Sequence, residues 1–269
     1  MITFNANSPS SLTSSFGNSS SSALLNRALT NLTSGMRINS AADDPSGLAL
    51  ATSLSASITT FSQSSRNAAD TTSALSVADG ALTQVQDITG RLQELATASA
   101  NGTLSDQQRQ ALQSEFTALT DEIKRIGGTT SYNDKNLLDG STFSTDVGGT
   151  SINAGGLNLG DLSSNVASQD ISTQAGAQAA ASAIEDFSKQ LTSQRASAFD
   201  APAARLSSAS DSLSSAIVTS AQALSQISDA NIEGAISDFS RAKVMIQYEL
   251  AATAQRNQLQ TSTIKQLIG

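Results

Sequence analysis

The chain has 269 residues, no Cys, Trp or His, 3 Pro and a net charge of −8. Disulfides, Cys or His metal sites, thiol nucleophiles and the Ser-His-Asp triad are therefore excluded. The acidic balance opposes nucleic acid and anionic membrane surfaces as partners, and aromatics at 4% leave no large aromatic core.

The N-terminal stretch Met1–Ser22 is polar, without the basic head and apolar core of a signal peptide. No run of about 20 apolar residues is present to span a membrane. Composition is compatible both with a cytoplasmic protein and with one exported without a cleaved signal. From Leu12 to Met36 the apolar residues Leu12, Phe16, Ala23, Leu25, Leu29, Leu32 and Met36 recur mostly at three and four, one helical stripe. Gly35 interrupts it. Asp44 followed by Pro45 predicts a helix start, with Asp as N-cap and Pro in the first turn. The neighbouring Asp43 is read with it as a capping residue rather than as half of an acid/base pair.

A heptad seam follows at Leu75, Ala78, Leu82, Val85, Ile88 or Thr89, Leu92 and Leu95. It belongs to a helix over Ala56–Ala100, ended by Asn101-Gly102 with Gly in the left-handed conformation. Ser105 and Gln108 predict a capping box for the next helix. Its stripe is Leu112, Phe116, Leu119, Ile123 and Ile126, with Lys124 and Arg125 in the last turn and Gly127-Gly128 as its stop. From Thr129 to about Ser168 glycines and β-branched residues predict a short hairpin, Ser151–Asn153 against Leu157–Leu159 around Ala154-Gly155-Gly156. Helical composition returns near Ser172. Leu206, Leu213, Ile217, Leu224 and Ile227 form a stripe, and Asp200-Ala201-Pro202 marks a helix start or a break. The last segment carries Ile232, Ile236, Phe239, Met245 or Ile246, Leu250, Leu259, Leu267 and Ile268.

Ser is roughly one residue in six. That lowers the helix propensity of the ends, whose narrow stripes need partners to be buried. No catalytic constellation, metal site or cofactor site emerges, which points away from an enzyme. The sequons at Asn18, Asn31 and Asn101 read as chance matches in a Ser-, Thr- and Asn-rich chain. The Gly148-Gly149 and Gly155-Gly156 pairs lack the strand–loop–helix setting of a phosphate cradle. A chemoreceptor-like signalling hairpin would need continuous heptads and a membrane anchor, and the Gly-rich centre opposes it.

The stretch LTNLTSGMRINSAADDPSGLAL, Leu29–Leu50, resembles the N-terminal signature of bacterial flagellins. Gly90–Phe116, Ser131–Gly140 and Ile227–Gly269 resemble later blocks of the same family. The resemblance implies a mainly α fold, with long antiparallel helices in a coiled-coil or helical-bundle rod and a small central β-hairpin region. It divides the chain into an N-terminal inner coiled-coil segment (1–40), a connecting segment (41–55), N-terminal rod helices (56–128), a hairpin and turn region in place of outer domains (129–170), C-terminal rod helices (171–228) and a C-terminal inner coiled-coil segment (229–269). It further implies a structural subunit that polymerises into the extracellular flagellar filament, exported without a cleaved signal by the flagellar secretion system. The alternative within the same resemblance is a hook–filament junction protein. Implied partners are further copies of the chain, junction and cap proteins and an export chaperone, and O-linked modification near 141–170 is a family expectation.

On this reading Leu25, Leu29, Leu32, Ile232, Ile236, Phe239, Leu250 and Leu267 form the inner subunit interface. Leu75, Leu82, Val85, Leu92, Phe116, Leu119, Leu206 and Leu213 pack the rod helices. Family members recognised by a Toll-like innate receptor carry Arg, Glu and Leu in the block resembling Gly90–Phe116, and a Glu further on. Here Leu95 and Glu115 match, Gln93 stands at the Arg position, and Arg91 lies two residues earlier on another side of the helix. Weakened receptor recognition is the expectation.

Overall fold

The computed structural model describes the backbone of residues 9–268 and the side-chain surroundings of residues 20–263. Leu12, Phe16, Leu267 and Ile268 thus lie outside the described side chains. The elements are α1 (Pro9–Ser34), α2 (Pro45–Ser99), α3 (Asp106–Thr129), β1 (Ser131–Tyr132), β2 (Lys135–Asn136), β3 (Thr142–Val147), β4 (Thr150–Gly155), α4 (Leu159–Ala167), α5 (Gln174–Arg195), a π-helical turn (Ala196–Asp200), α6 (Ala201–Ser228) and α7 (Ile232–Ile268). They form two compact units, one of Met1–Ser57 with Thr219–Gly269 and one of Ile58–Val218. The fold is mainly α, with strands in two small antiparallel pairs.

The Ile58–Val218 unit holds one apolar core. The α2 heptad fills much of it: Leu75, Ala78, Leu82, Val85, Leu92 and Leu95 are buried, as is Thr89, while Ile88 is half-buried. Thr89 solves its polarity locally, its hydroxyl donating to the Val85 carbonyl at 2.7 Å. From α3 come Phe116, Ile123 and Ile126, with Leu112 and Leu119 partly buried against the core. Leu206 and Leu213 of α6 complete the set of predicted packing residues.

Helix α3 starts as its sequence dictates. The Gln108 amide donates to Ser105 Oγ at 3.4 Å, and Gln108 Oε1 accepts from the Ser105 amide at 2.9 Å, a reciprocal capping box. The turn before it is held by a buried Arg109, 6% exposed, which donates to the carbonyls of Ser99 and Leu104. These are orphan acceptors at and beyond the end of α2, where a cation suits the helix dipole. Gly102 keeps a φ outside the left-handed region, contrary to expectation. The Ser99 hydroxyl donates to the Ile171 carbonyl and the Ile171 amide to Gln113 Oε1 at 2.6 Å, which fastens the 168–173 link to both helices.

Gly127 and Gly128 do not stop α3; the helix runs through them to Thr129. Gly127 is buried, and a Cβ there would lie 3.2 Å from the Leu159 Cβ. Its role is close approach to the start of α4, not termination. Lys124 and Arg125 consequently sit before the last turn, paired with Asp121 and Glu122. Gly127→Val is expected to cost about 1–3 kcal/mol of stability through overpacking, read as a lowered urea midpoint.

The hairpin also differs from its sequence assignment. β3 pairs with β4 in register from Thr142↔Gly155 to Val147↔Thr150. The turn is therefore Gly148-Gly149, with φ of 64° and 85°, the two positive values a type I′ hairpin turn requires. Asp146 Oδ1 accepts from the Gly149 amide at 2.9 Å and closes it. Ala154–Gly156 ends the second strand instead of turning it. Leu157 and Leu159 are fully buried and lead into α4, a helix absent from the sequence reading. Asn158 caps it, accepting from the Asp161 amide at 3.1 Å.

In the other unit α1 and α7 pair antiparallel: Met36 bridges Asp229 at one end, and Ser21 reaches Glu249 at the other. Buried positions recur at sevens, Ser21 and Ala28 on α1 and Ala235 and Ala242 on α7. Helix α2 begins at Pro45, so the predicted connecting segment 41–55 is helical over most of its length.

Candidate subunit interface

The fully buried positions of the α1–α7 seam are small side chains, Ser21, Ala28, Ala235 and Ala242, with the half-buried Leu25, Leu32, Phe239 and Ile246 beside them at heptad spacing. Its one carboxylate, Glu249, accepts from Ser21 Oγ at 2.8 Å through Oε1, while Oε2 is shielded from water without a hydrogen-bond partner. Many of the large apolar residues of this unit point elsewhere. Leu24, Leu29, Ile232, Ile236, Val244, Met245, Tyr248, Leu250 and Leu259 are all exposed, Tyr248 at 73% and Leu250 at 59%. At about 100° per residue those on α7 resolve into two stripes. Ile232, Ile236, Phe239 and Leu250 lie on one side of the seam, and Val244, Met245, Tyr248 and Leu259 on the other.

The predicted interface residues fall as follows. Leu29, Ile232, Ile236 and Leu250 are exposed, and Leu25, Leu32 and Phe239 are half-buried. The fully buried seam positions are alanines and a serine, and Leu25, Leu32 and Phe239 are half-buried beside them. Met245 and Leu259, which the sequence groups with the other apolar residues of the last segment, belong to the second stripe. Val244 and Tyr248, apolar residues four apart on the opposite side, mark this stripe in the sequence.

Two chain reversals meet at the base of this helix pair. The Arg37 amide donates to the Ser228 carbonyl and its guanidinium to the Ile227 carbonyl, each at 2.6 Å. The Ala230 amide donates to the Gly35 carbonyl at 2.9 Å, with Gly35 at φ 69° just past the end of α1. Asp43 accepts from the amides of Asn39 and Ser40 and from the Ser40 hydroxyl. Asp44 caps α2, accepting from the Gly47 amide and the Ser46 hydroxyl at 2.8 Å. The Ser40 hydroxyl holds the Asp43 carboxyl below its ordinary range, and the Gly47 amide does the same for Asp44. Both act as ionised acceptors that fix a turn, not as a proton-transfer pair.

The receptor-equivalent positions separate. Arg91 is exposed and donates to Glu94 at 2.8 Å and Glu115 at 2.9 Å, linking α2 to α3. These carboxylates, Glu94 first, raise the Arg91 pKa further. Gln93 is half-buried with its side-chain oxygen shielded and unpartnered, and Leu95 is 3% exposed, inside the core. No described helix is long and apolar enough to cross a membrane.

The helical segments at the two ends of the chain pair with each other, and the chain matches two family models. Residues 4–142 match the bacterial flagellin N-terminal helical region, and residues 181–267 match the bacterial flagellin C-terminal helical region. The chain belongs to the bacterial flagellin family. It is 34% identical over 249 residues to a flagellin of Halalkalibacterium halodurans, covering 90% of this chain and 91% of that one. It is 39% identical over 167 residues to a flagellin of Salmonella muenchen and 44% identical over 144 residues to the B-type flagellin of Pseudomonas aeruginosa. Those matches cover 62% and 54% of this chain, but only 33% and 29% of the longer relatives. The crystal structure of Bacillus cereus flagellin superposes with a TM-score of 0.51 at 25% identity, covering 55% of this chain and 88% of that one.

Flagellin is a structural protein family, not an enzyme family, and its members are extracellular components of the flagellar filament. The present chain is a short form. Only residues 130–173, with two strand pairs and α4, connect α3 to α5.

Proposed function

We propose that this flagellin polymerises into the helical filament through the two exposed stripes of α7, each covered by a different neighbour. The observation that carries the reading is the pair of separate apolar surfaces flanking one intramolecular seam. Two unlike surfaces allow head-to-tail contacts that do not close into a ring, the condition for an open helical polymer. On α1, Leu25, Leu29 and Leu32 extend the same apolar surface. Nothing in the fold or the relatives favours the hook–filament junction alternative.

The α1–α7 seam supports a second step. Helices with Ser-rich sequences whose fully buried contacts are alanine-sized gain little from pairing alone. Their full order comes from the neighbours in the filament. In this reading an export chaperone covers the α7 stripes before secretion, and junction and cap proteins meet them at the filament ends. A chain without Cys suits passage in an unfolded state through the flagellar secretion system.

Electron microscopy of concentrated, seeded protein tests the polymer. Long filaments of uniform width are expected, and a chain that stays monomeric under seeding contradicts the reading.

Recognition by a Toll-like innate receptor is proposed to be weak. The exposed Arg91 is tied to two carboxylates, Gln93 replaces the Arg that the recognised pattern carries, and Leu95 is buried. In a receptor reporter cell line, depolymerised protein should need a higher concentration than a flagellin with that Arg. Equal potency would contradict this.

A further inference from the structure

Helices α5 and α6 carry one apolar stripe whose spacing slips by one residue. Ala177, Ile184 and Leu191 are buried at steps of seven, and so are Phe199, Leu206 and Leu213. Between Leu191 and Phe199 the step is eight. Seven residues of α-helix fall about 20° short of two turns, whereas eight overshoot by about 80°. In a regular helix the two halves of the stripe would face directions about 100° apart.

They face one core because the π turn Ala196–Asp200 lies inside that eight-residue step. The Ala201 amide donates to the Ala196 carbonyl, five residues back, so the turn holds one residue more than an α-turn. Arg195, Ala196 and Ala201 all keep right-handed helical backbone, and the helix continues without a break. Pro202, buried and next in the chain, has no N–H to offer a regular ladder, and its ring would crowd the carbonyl four residues back. The wide turn therefore stands where proline makes a regular one least favourable. It is also anchored: Arg195 pairs with Asp79 at 2.6 Å and donates to Gln86 at 2.8 Å, and β4 packs on the turn itself.

We infer that this π turn is a one-residue phase corrector, held in place by Pro202, that keeps α5 and α6 on a single core and forms the seat of the hairpin. Its removal together with the proline should then leave a straight helix with the stripe intact.

The test uses full-length monomer and three deletions. Deleting Ser197, an exposed residue of the turn, together with Pro202→Ala should preserve a single cooperative thermal transition within about 5 °C of the parent. Deleting Ser197 alone should lower the midpoint further, because Pro202 then enters a regular helix interior. Deleting Ser207, an exposed α6 residue with no wide turn to absorb the loss, should abolish the cooperative transition. Amide exchange across 196–202 should become uniformly helix-like in the double variant. The inference is overturned if the double variant melts as badly as the Ser207 deletion. It is equally overturned if the Ser207 deletion is harmless, since helix phase would then not matter. All readouts are taken on monomer, so filament formation does not enter.

Discussion

Replacing Ile236 and Leu250 together by Asp abolishes filament growth and leaves the monomer's melting transition in place. Both residues are exposed on α7 and on the same side of the seam, at 51% and 59%, so the monomer loses no buried contact. In the filament each would be covered. An apolar side chain of this size contributes about 1.5–3 kcal/mol when fully removed from water, and a carboxylate in its place is a charge buried without a partner. Losing the apolar contributions of both residues alone approaches 4 kcal/mol, which raises the critical concentration about a thousandfold. Sedimentation of seeded protein across a concentration series measures it. Tyr248→Asp examines the other stripe in the same assay. If it too blocks growth, both surfaces are required, as an open polymer demands. Growth of the Ile236/Leu250 variant at the parent's critical concentration would show that this stripe stays in water.

Local chemistry explains which parts of the molecule could be read in advance. The Ser105–Gln108 box, the Asp44-Pro45 start and the α2 heptad each depend on side chains within one or two turns of each other, and the residues state those distances directly. Glycine is different, because its effect depends on what comes near. Gly127 looks like a helix stop but makes room for Leu159, which is 32 positions away in the chain. Gly148-Gly149 is a hairpin turn only because Val147 pairs with Thr150, and the competing Gly155-Gly156 was equally plausible by composition. The slip between Leu191 and Phe199 is visible in the spacing once the wide turn is known. Without it, the eight-residue step reads as two stripes and Pro202 as a break. At the interface, the heptad rule finds apolar residues but not what they face. On α7 the fully buried sevens of the intramolecular seam are alanines, and many of the larger residues stay exposed.

The same distinction between pattern and burial separates two neighbours on α3. Phe116 and Leu119 occupy one predicted stripe, and the sequence gives no reason to rank them. In the fold Phe116 is 1% exposed within the core cluster, whereas Leu119 only leans against it. Phe116→Ala removes a fully enclosed ring and leaves a cavity that helices fixed by Arg109 and the capping box cannot easily collapse. The expected loss is about 3–5 kcal/mol, a large share of the roughly 5–15 kcal/mol that a domain possesses. Leu119→Ala opens a space that water can enter, so its cost should stay near the low end of the Leu→Ala range, about 2 kcal/mol or less. Urea unfolding followed by circular dichroism compares the two, and an unchanged m-value assures that both report the native core rather than a new denatured state. Equal losses would mean that Leu119 is as enclosed as Phe116. A loss below about 1 kcal/mol for Phe116→Ala would mean that the bundle repacks around the missing ring, and that the α3 side of the core is far softer than its burial indicates.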